Sequence, residues 1–193
     1  MEWKERAVKR SRKLGLAVGA VLVACGLPLH GASAAPAEGE STTVVVQGDG
    51  SEKSGTSYAQ CPAGTQLVGG GFLGGEPQAP VDTNAPSAAR PGAWVTKAQY
   101  SYARAFALCD KESKPTSAVA GQTVTGDAVS YAQCPADKDL IGGGYNTNFG
   151  FNGFHQTSDT ITANGPSAAR SGAWAVKSSS GGETTAYALC RAR

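Results

Sequence analysis

Beyond residue 41, apolar and polar positions along this 193-residue chain alternate over short runs. Ser57-Tyr58-Ala59-Gln60-Cys61 sets Tyr58 and Gln60 on one face and Ala59 and Cys61 on the other, the period-two pattern of a half-buried strand. Thr42 to Gln47 is β-branched, and Ser117 to Thr125 is its counterpart later in the chain. Gln66 to Phe72 and Asp139 to Tyr145 are short apolar runs that enter a glycine triplet, Trp94 to Gln99 and Trp174 to Ser178 follow Gly-Ala steps, and Ala103 to Cys109 and Thr185 to Cys190 complete the series. No window carries a convincing helical stripe, and 26 Gly and 10 Pro break the chain into pieces of strand length. The pattern predicts an all-β protein.

The same motifs occur twice in the same order. Tyr58-Ala59-Gln60-Cys61-Pro62 opens a unit that closes at Ala107-Leu108-Cys109, and Tyr131-Ala132-Gln133-Cys134-Pro135 opens one that closes at Ala188-Leu189-Cys190. Cys to the first Gly of the triplet is 8 positions in both, and Pro-Ser-Ala-Ala-Arg-x-Gly-Ala-Trp recurs whole at Pro86 to Trp94 and Pro166 to Trp174. Between triplet and Asn the second copy is longer, with 20 positions from Gly144 to Asn164 against 13 from Gly71 to Asn84. One variable stretch inside an otherwise fixed order marks a duplicated unit with an exposed loop. The expected architecture is two tandem disulfide-closed β units of about five short strands each, packed as a sandwich or barrel-like pair. The first covers 42–112 and the second 113–193, and the joint at Lys111 to Ser117 is short enough to keep the copies in contact.

Residues 1–35 read as an export signal, with 36–41 as a linker. Six basic residues between Lys4 and Lys13 precede an apolar stretch, Leu14 to Leu29, and an Ala32-Ser33-Ala34 cleavage pattern. Gly15, Gly19, Gly26 and Pro28 make that stretch a poor membrane span. The expected location is therefore secreted and extracellular, with no transmembrane span in the mature chain. Leu22-Val23-Ala24-Cys25 supplies the alternative, a lipid anchor at Cys25, but the apolar Leu27 to Leu29 beyond it favours cleavage further on. Removing six basic and two acidic residues turns the whole-chain net charge of +2 into −2, so the basic balance belongs to the signal and nucleic acid is not an expected partner.

Of 5 Cys, Cys25 falls in the signal and four remain, one at each end of each unit. In an oxidising compartment these pair. Cys61 with Cys109 and Cys134 with Cys190 is the pairing that treats both copies alike. Zinc is the rival reading of four Cys, but Cys-x-x-Cys spacing is absent, so no metal is expected.

Few residues suggest chemistry. Gly69 to Gly74 fits G-x-G-x-x-G formally, yet no helix follows and the second copy departs from it, so no cofactor is expected and the glycines read as bulges or as places where a large ring lies on the backbone. Trp94 and Trp174 are those rings, read as core anchors in preference to sugar-stacking platforms. Arg90 and Arg170, four residues before each Trp, are read as surface groups able to stack or to fork onto a carboxylate. The longer stretch of the second copy holds Tyr145, Asn148, Phe151, Phe154 and His155, rings and amides suited to a glycan or peptide, and these join the two Arg as candidate ligand-binding residues. His155 is the one His beyond the signal. No Gly-x-Ser-x-Gly elbow accompanies it, and Asp82 and Asp159 read as loop carboxylates without a supporting pattern. No catalytic residue is assigned.

The ordered run Cys-Pro-Ala, Gly-Gly-Gly-aromatic, Gly-Ala-Trp and Ala-Leu-Cys, twice over behind an export signal, resembles uncharacterised secreted proteins of high-GC bacteria, and the resemblance spans nearly all of the mature chain. No activity comes with it. A looser likeness to Cys-closed β modules at the tips of phage fibres would imply an exposed binding role. The expected function is a secreted non-catalytic binding or structural module, with a cell-wall glycan or an extracellular protein as the partner classes; the alternative is an extracellular hydrolase that uses the His155 loop.

Overall fold

The computed structural model describes residues 41–74, 80–148, 160–179 and 182–193, and these are all-β. Thirteen strands follow one another: β1 Thr43–Gln47, β2 Thr56–Gln60, β3 Gln66–Gly74, β4 Val81–Pro86, β5 Ala93–Ala98, β6 Ala103–Asp110, β7 Thr116–Ala120, β8 Val124–Thr125, β9 Ser130–Gln133, β10 Lys138–Asn148, β11 Ile161–Pro166, β12 Ala173–Ser178 and β13 Glu183–Ala192. The described residues fall within one compact unit.

The pairing order repeats. In the first half β1-β6-β3 makes one sheet and β2-β5-β4 the other; in the second half β7-β13-β10 and β9-β12-β11 correspond strand for strand. Registers correspond too. Val45 faces Leu108 and Leu108 faces Gly69, as Ala118 faces Leu189 and Leu189 faces Gly142. Bulges fall at the same places, between Leu67 and Gly69 and between Leu140 and Gly142, and again between Val81 and Thr83 and between Ile161 and Ala163. Each half thus holds six equivalent strands, not five: β4 and β11 are strands that the polar, Pro-ended sequences Val-Asp-Thr-Asn-Ala-Pro and Ile-Thr-Ala-Asn-Gly-Pro conceal.

What holds the facing sheets together follows from the alternation. On β2 and β6 the inward positions are Ser57, Ala59, Ala103, Ala105, Ala107 and Cys109, all buried, so the core is thin and built of alanines around one large ring. Cys61 and Cys109 are joined, as are Cys134 and Cys190, each bridge tying the end of one sheet to the other. A buried serine makes a second tie: Ser57 Oγ accepts from the Ala105 amide at 3.0 Å, and Ser130 Oγ from the Ala186 amide at 2.8 Å. The ring is Trp94 or Trp174. A methyl group at Gly70 would lie 2.3 Å from Cδ2 of Trp94, and one at Gly143 would lie 2.4 Å from Cδ2 of Trp174, so the middle glycine of each triplet is the floor on which the indole rests. Each indole N–H donates to an Asn Oδ1 at 2.7 Å, Asn84 for Trp94 and Asn164 for Trp174.

The halves join edge to edge. Strand β4 pairs antiparallel with β10 through Asn84 with Tyr145 and Thr83 with Asn146, which fuses two of the four sheets into the order β2-β5-β4-β10-β13-β7. Thr83 Oγ1 donates to Asn146 Oδ1 at 2.8 Å, Thr147 Oγ1 donates to the Asp82 carbonyl at 3.2 Å, and the Thr116 amide donates to Gln66 Oε1 at 3.2 Å. Leu189 and Ile141, from the second half, pack into the apolar cluster of the first with Leu67 and Trp94.

Candidate functional site

The same surface device occurs in both halves. After β4 the chain turns through Ser87-Ala88-Ala89-Arg90-Pro91-Gly92. Ser87 Oγ accepts the Arg90 amide at 3.0 Å, the Ala93 amide donates to the Arg90 carbonyl at 3.1 Å, and Gly92 takes a φ of +76°, a left-handed value that disfavours any side chain. Gln60 Nε2 on β2 reaches the Pro91 carbonyl at 3.0 Å, and the Cys61 amide donates to the Gly92 carbonyl at 3.0 Å. In the second half Ser167 accepts the Arg170 amide at 3.0 Å, Gly172 has a φ of +73°, Gln133 Nε2 reaches Ser171 at 2.9 Å, and the Cys134 amide reaches Gly172 at 3.1 Å. The turn is thereby pinned to the strand that ends in the disulfide.

The turn aims its arginine at a ring on that strand. The Arg90 guanidinium carbon sits 3.7 Å from the centre of the Tyr58 ring, and that of Arg170 sits 3.9 Å from the centre of the Tyr131 ring. Both arginines are exposed and both tyrosines half-buried. Stacking contributes on the order of 0.5–1 kcal/mol at such a site and holds a long side chain in one orientation. Among the described residues neither arginine forms an ion pair. Each half therefore presents an exposed guanidinium stacked on a ring, a group whose planar fork suits a carboxylate. Tyr58 and Tyr131 were not singled out in the sequence, although the recurrence of Tyr-Ala-Gln-Cys beside that of Ser-Ala-Ala-Arg is the signal that points to them.

The tryptophans differ between halves. Trp94 is 4% exposed and belongs to the first core, whereas Trp174 is half-buried and packs against the second. Tyr145 and Asn148, assigned to a recognition loop from the sequence, instead lie on β10, which runs for 11 residues. Tyr145 packs partly buried against the second core and faces Asn84, so it serves the junction between halves. Phe151, Phe154, His155 and Asp159 lie outside the described residues.

Asp82 is a strand residue and not the loop carboxylate that the sequence suggests. It stands on β4, buried at the junction, with Oδ1 lacking a hydrogen-bond partner among the described residues. Burial pushes its carboxyl from 3.8 up to about 6, against the opposing pull of Lys97, and burial together with the Asp82 charge raises the Tyr145 hydroxyl. Because the folded value is raised, the protein gains stability when Asp82 is protonated: the contribution is full below pH 3.8 and is lost as pH rises to about 6. We expect Asp82→Asn to remove that slope and to stabilise the protein near neutral pH by about 1–2 kcal/mol, after discounting for solvent around the carboxyl. Urea midpoints of parent and variant from pH 4 to 7.5 measure it; parallel curves would contradict the assignment.

Among the described residues no group of three or more His, Cys, Asp and Glu is arranged to hold a metal, and no helix is long and apolar enough to cross a membrane. Comparison of the sequence with protein-family models and with curated proteins finds no match.

Proposed function

We propose that this chain is a secreted, non-catalytic β protein that binds acidic glycan at the cell surface, with the Arg90–Tyr58 and Arg170–Tyr131 platforms as its contacts. The observation that carries the reading is their duplication: the sequence spends a serine, a left-handed glycine, a glutamine and a tyrosine in each half to hold one exposed guanidinium. A stack of this kind is of small value to stability, so its repeated construction points to what the guanidinium contacts. Two disulfides fit the oxidising exterior to which the basic and apolar leader would send it. Two weak sites on one chain also raise avidity for a repeating polymer without any single strong contact.

The test is retention of the purified chain on cell-wall material and on an acidic polysaccharide. Arg90→Ala with Arg170→Ala should lower retention by at least about tenfold, the loss of one charge-assisted contact per half. Arg→Lys at both positions should recover little of it, since an ammonium neither forks nor stacks in the same way. Undiminished retention of the double alanine variant would contradict the proposal. Retention on an extracellular protein alone, and not on glycan, would contradict the choice of partner.

A further inference from the structure

The two halves are equivalent in pairing but not in what covers them, and the difference is confined to two edges. Strands β1 and β7 end their sheets in the same way, as do β2 and β9. Strand β10, however, pairs with β4, whereas their equivalents β3 and β11 each end a sheet with one side unpaired among the described residues. The chain thus contains one complete junction and, at opposite ends of its order, the two separated parts of a second.

The free parts match the occupied ones. At the junction the backbone of β4 comes so close to Gly144 that a methyl group there would lie 2.0 Å from the Asn84 carbonyl oxygen; its equivalent Gly71, and Gly165 in the place of Ala85, have nothing within 4 Å of where a methyl group would stand. Leu189, covered by the first half, is 1% exposed, and its equivalent Leu108 is 39% exposed. The most specific match is a pair. At the junction Asn146 on β10 is bonded to Thr83 on β4. The equivalent positions are Leu73 on β3, which is 61% exposed, and Ala163 on β11, also exposed. A polar pair inside the chain is replaced on the two free edges by an apolar pair, the change expected if those edges meet each other.

We propose that a second copy of this chain is the occupant: β3 of one molecule adds antiparallel to β11 of the next, with Phe72 facing Asn164 and Leu73 facing Ala163, in the register that Tyr145 and Asn146 adopt against Asn84 and Thr83. The contact joins two different surfaces and leaves the same two surfaces free at the ends. It is therefore heterologous, and repetition yields a linear head-to-tail array. Such an array would repeat the half-to-half junction at every step and would multiply the Arg–Tyr platforms along its length.

Two edge variants of the 36–193 chain, which contains the whole compact unit, separate this from other modes of association. Leu73→Lys blocks one surface and Ala163→Lys the other. Sedimentation velocity of the parent should show a ladder of species that grows between about 1 and 100 µM, the range of a modest transient interface. Each variant alone should sediment as a monomer, and an equimolar mixture should form a dimer and stop there, because only one compatible pair of surfaces remains. Native tryptophan fluorescence of each variant confirms that an exposed lysine has left the fold intact. A parent that stays monomeric throughout this range overturns the proposal. So does a parent that associates while the mixed variants do not pair, or single variants that associate as well as the parent.

Discussion

Cys61→Ala with Cys109→Ala is expected to cost the protein about 4 kcal/mol. The bridge closes a sequence separation of 48, and chain-entropy accounting for a loop of that length gives about that figure. The second bridge, across a separation of 56, gives nearly the same. The large value matters because the rest of the core is weak: inward positions are mostly alanine, and each buried methyl contributes under about 1 kcal/mol. A domain of ordinary marginal stability that loses one such bridge keeps only part of it, and loss of both is expected to unfold it at 37 °C. Urea unfolding of the parent, of each double alanine variant and of the reduced parent would show midpoints falling in that order. If the reduced protein retains the parent's midpoint, the bridges are not what holds the sheets together.

Gly70→Ala and Gly143→Ala are the next largest, at about 3 kcal/mol each. The added methyl would meet an indole ring and a backbone carbonyl together, lying 2.5 Å from Phe106 O at position 70 and 2.3 Å from Tyr187 O at position 143, and the carbonyl cannot rotate away. Gly71→Ala, one residue along, is the control. Nothing lies within 4 Å of its methyl position, and its stability in the monomer should change by under about 0.5 kcal/mol. Thermal unfolding of the three variants separates a glycine required by the ring from one required by strand bending in general. Equal losses at Gly70 and Gly71 would count against the ring.

How much of this could be read in the sequence depends on how local each cause is. The strands β2, β5 and β6 show themselves because one face is buried and the other wetter, so alternation survives in the letters, whereas β12 and β13 are legible through the motifs they share with β5 and β6. The pairing of the cysteines is legible because duplication leaves one arrangement that treats both copies alike. Strands β4 and β11 are hidden because Asn and Thr residues that read as turn formers find strand partners in the fold: Asn84 and Asn164 accept from the indoles, and Thr83 bonds across the junction. Composition reads those residues as turn formers, and only the partner strand makes them strand residues. Tyr145 and Asn148 read as part of a loop because the longer stretch of the second copy begins there, yet β10 runs through both. Asp82 looked like a loop carboxylate, and its burial comes from the joining of two halves, which no local window records. The arginines read as exposed without help, but the rings beneath them come from another strand, and the registers of β2 on β5 and of β9 on β12 bring them together.

The disulfide pattern carries the correspondence between the two halves, on which the paired platforms and the free edges both rest. Proteolysis of the unreduced protein followed by mass spectrometry reads that pattern directly. The account predicts peptides that join Cys61 to Cys109 and Cys134 to Cys190, each released by reduction. A peptide that joins Cys61 to Cys134 or to Cys190, or four free thiols in the native protein, would contradict it.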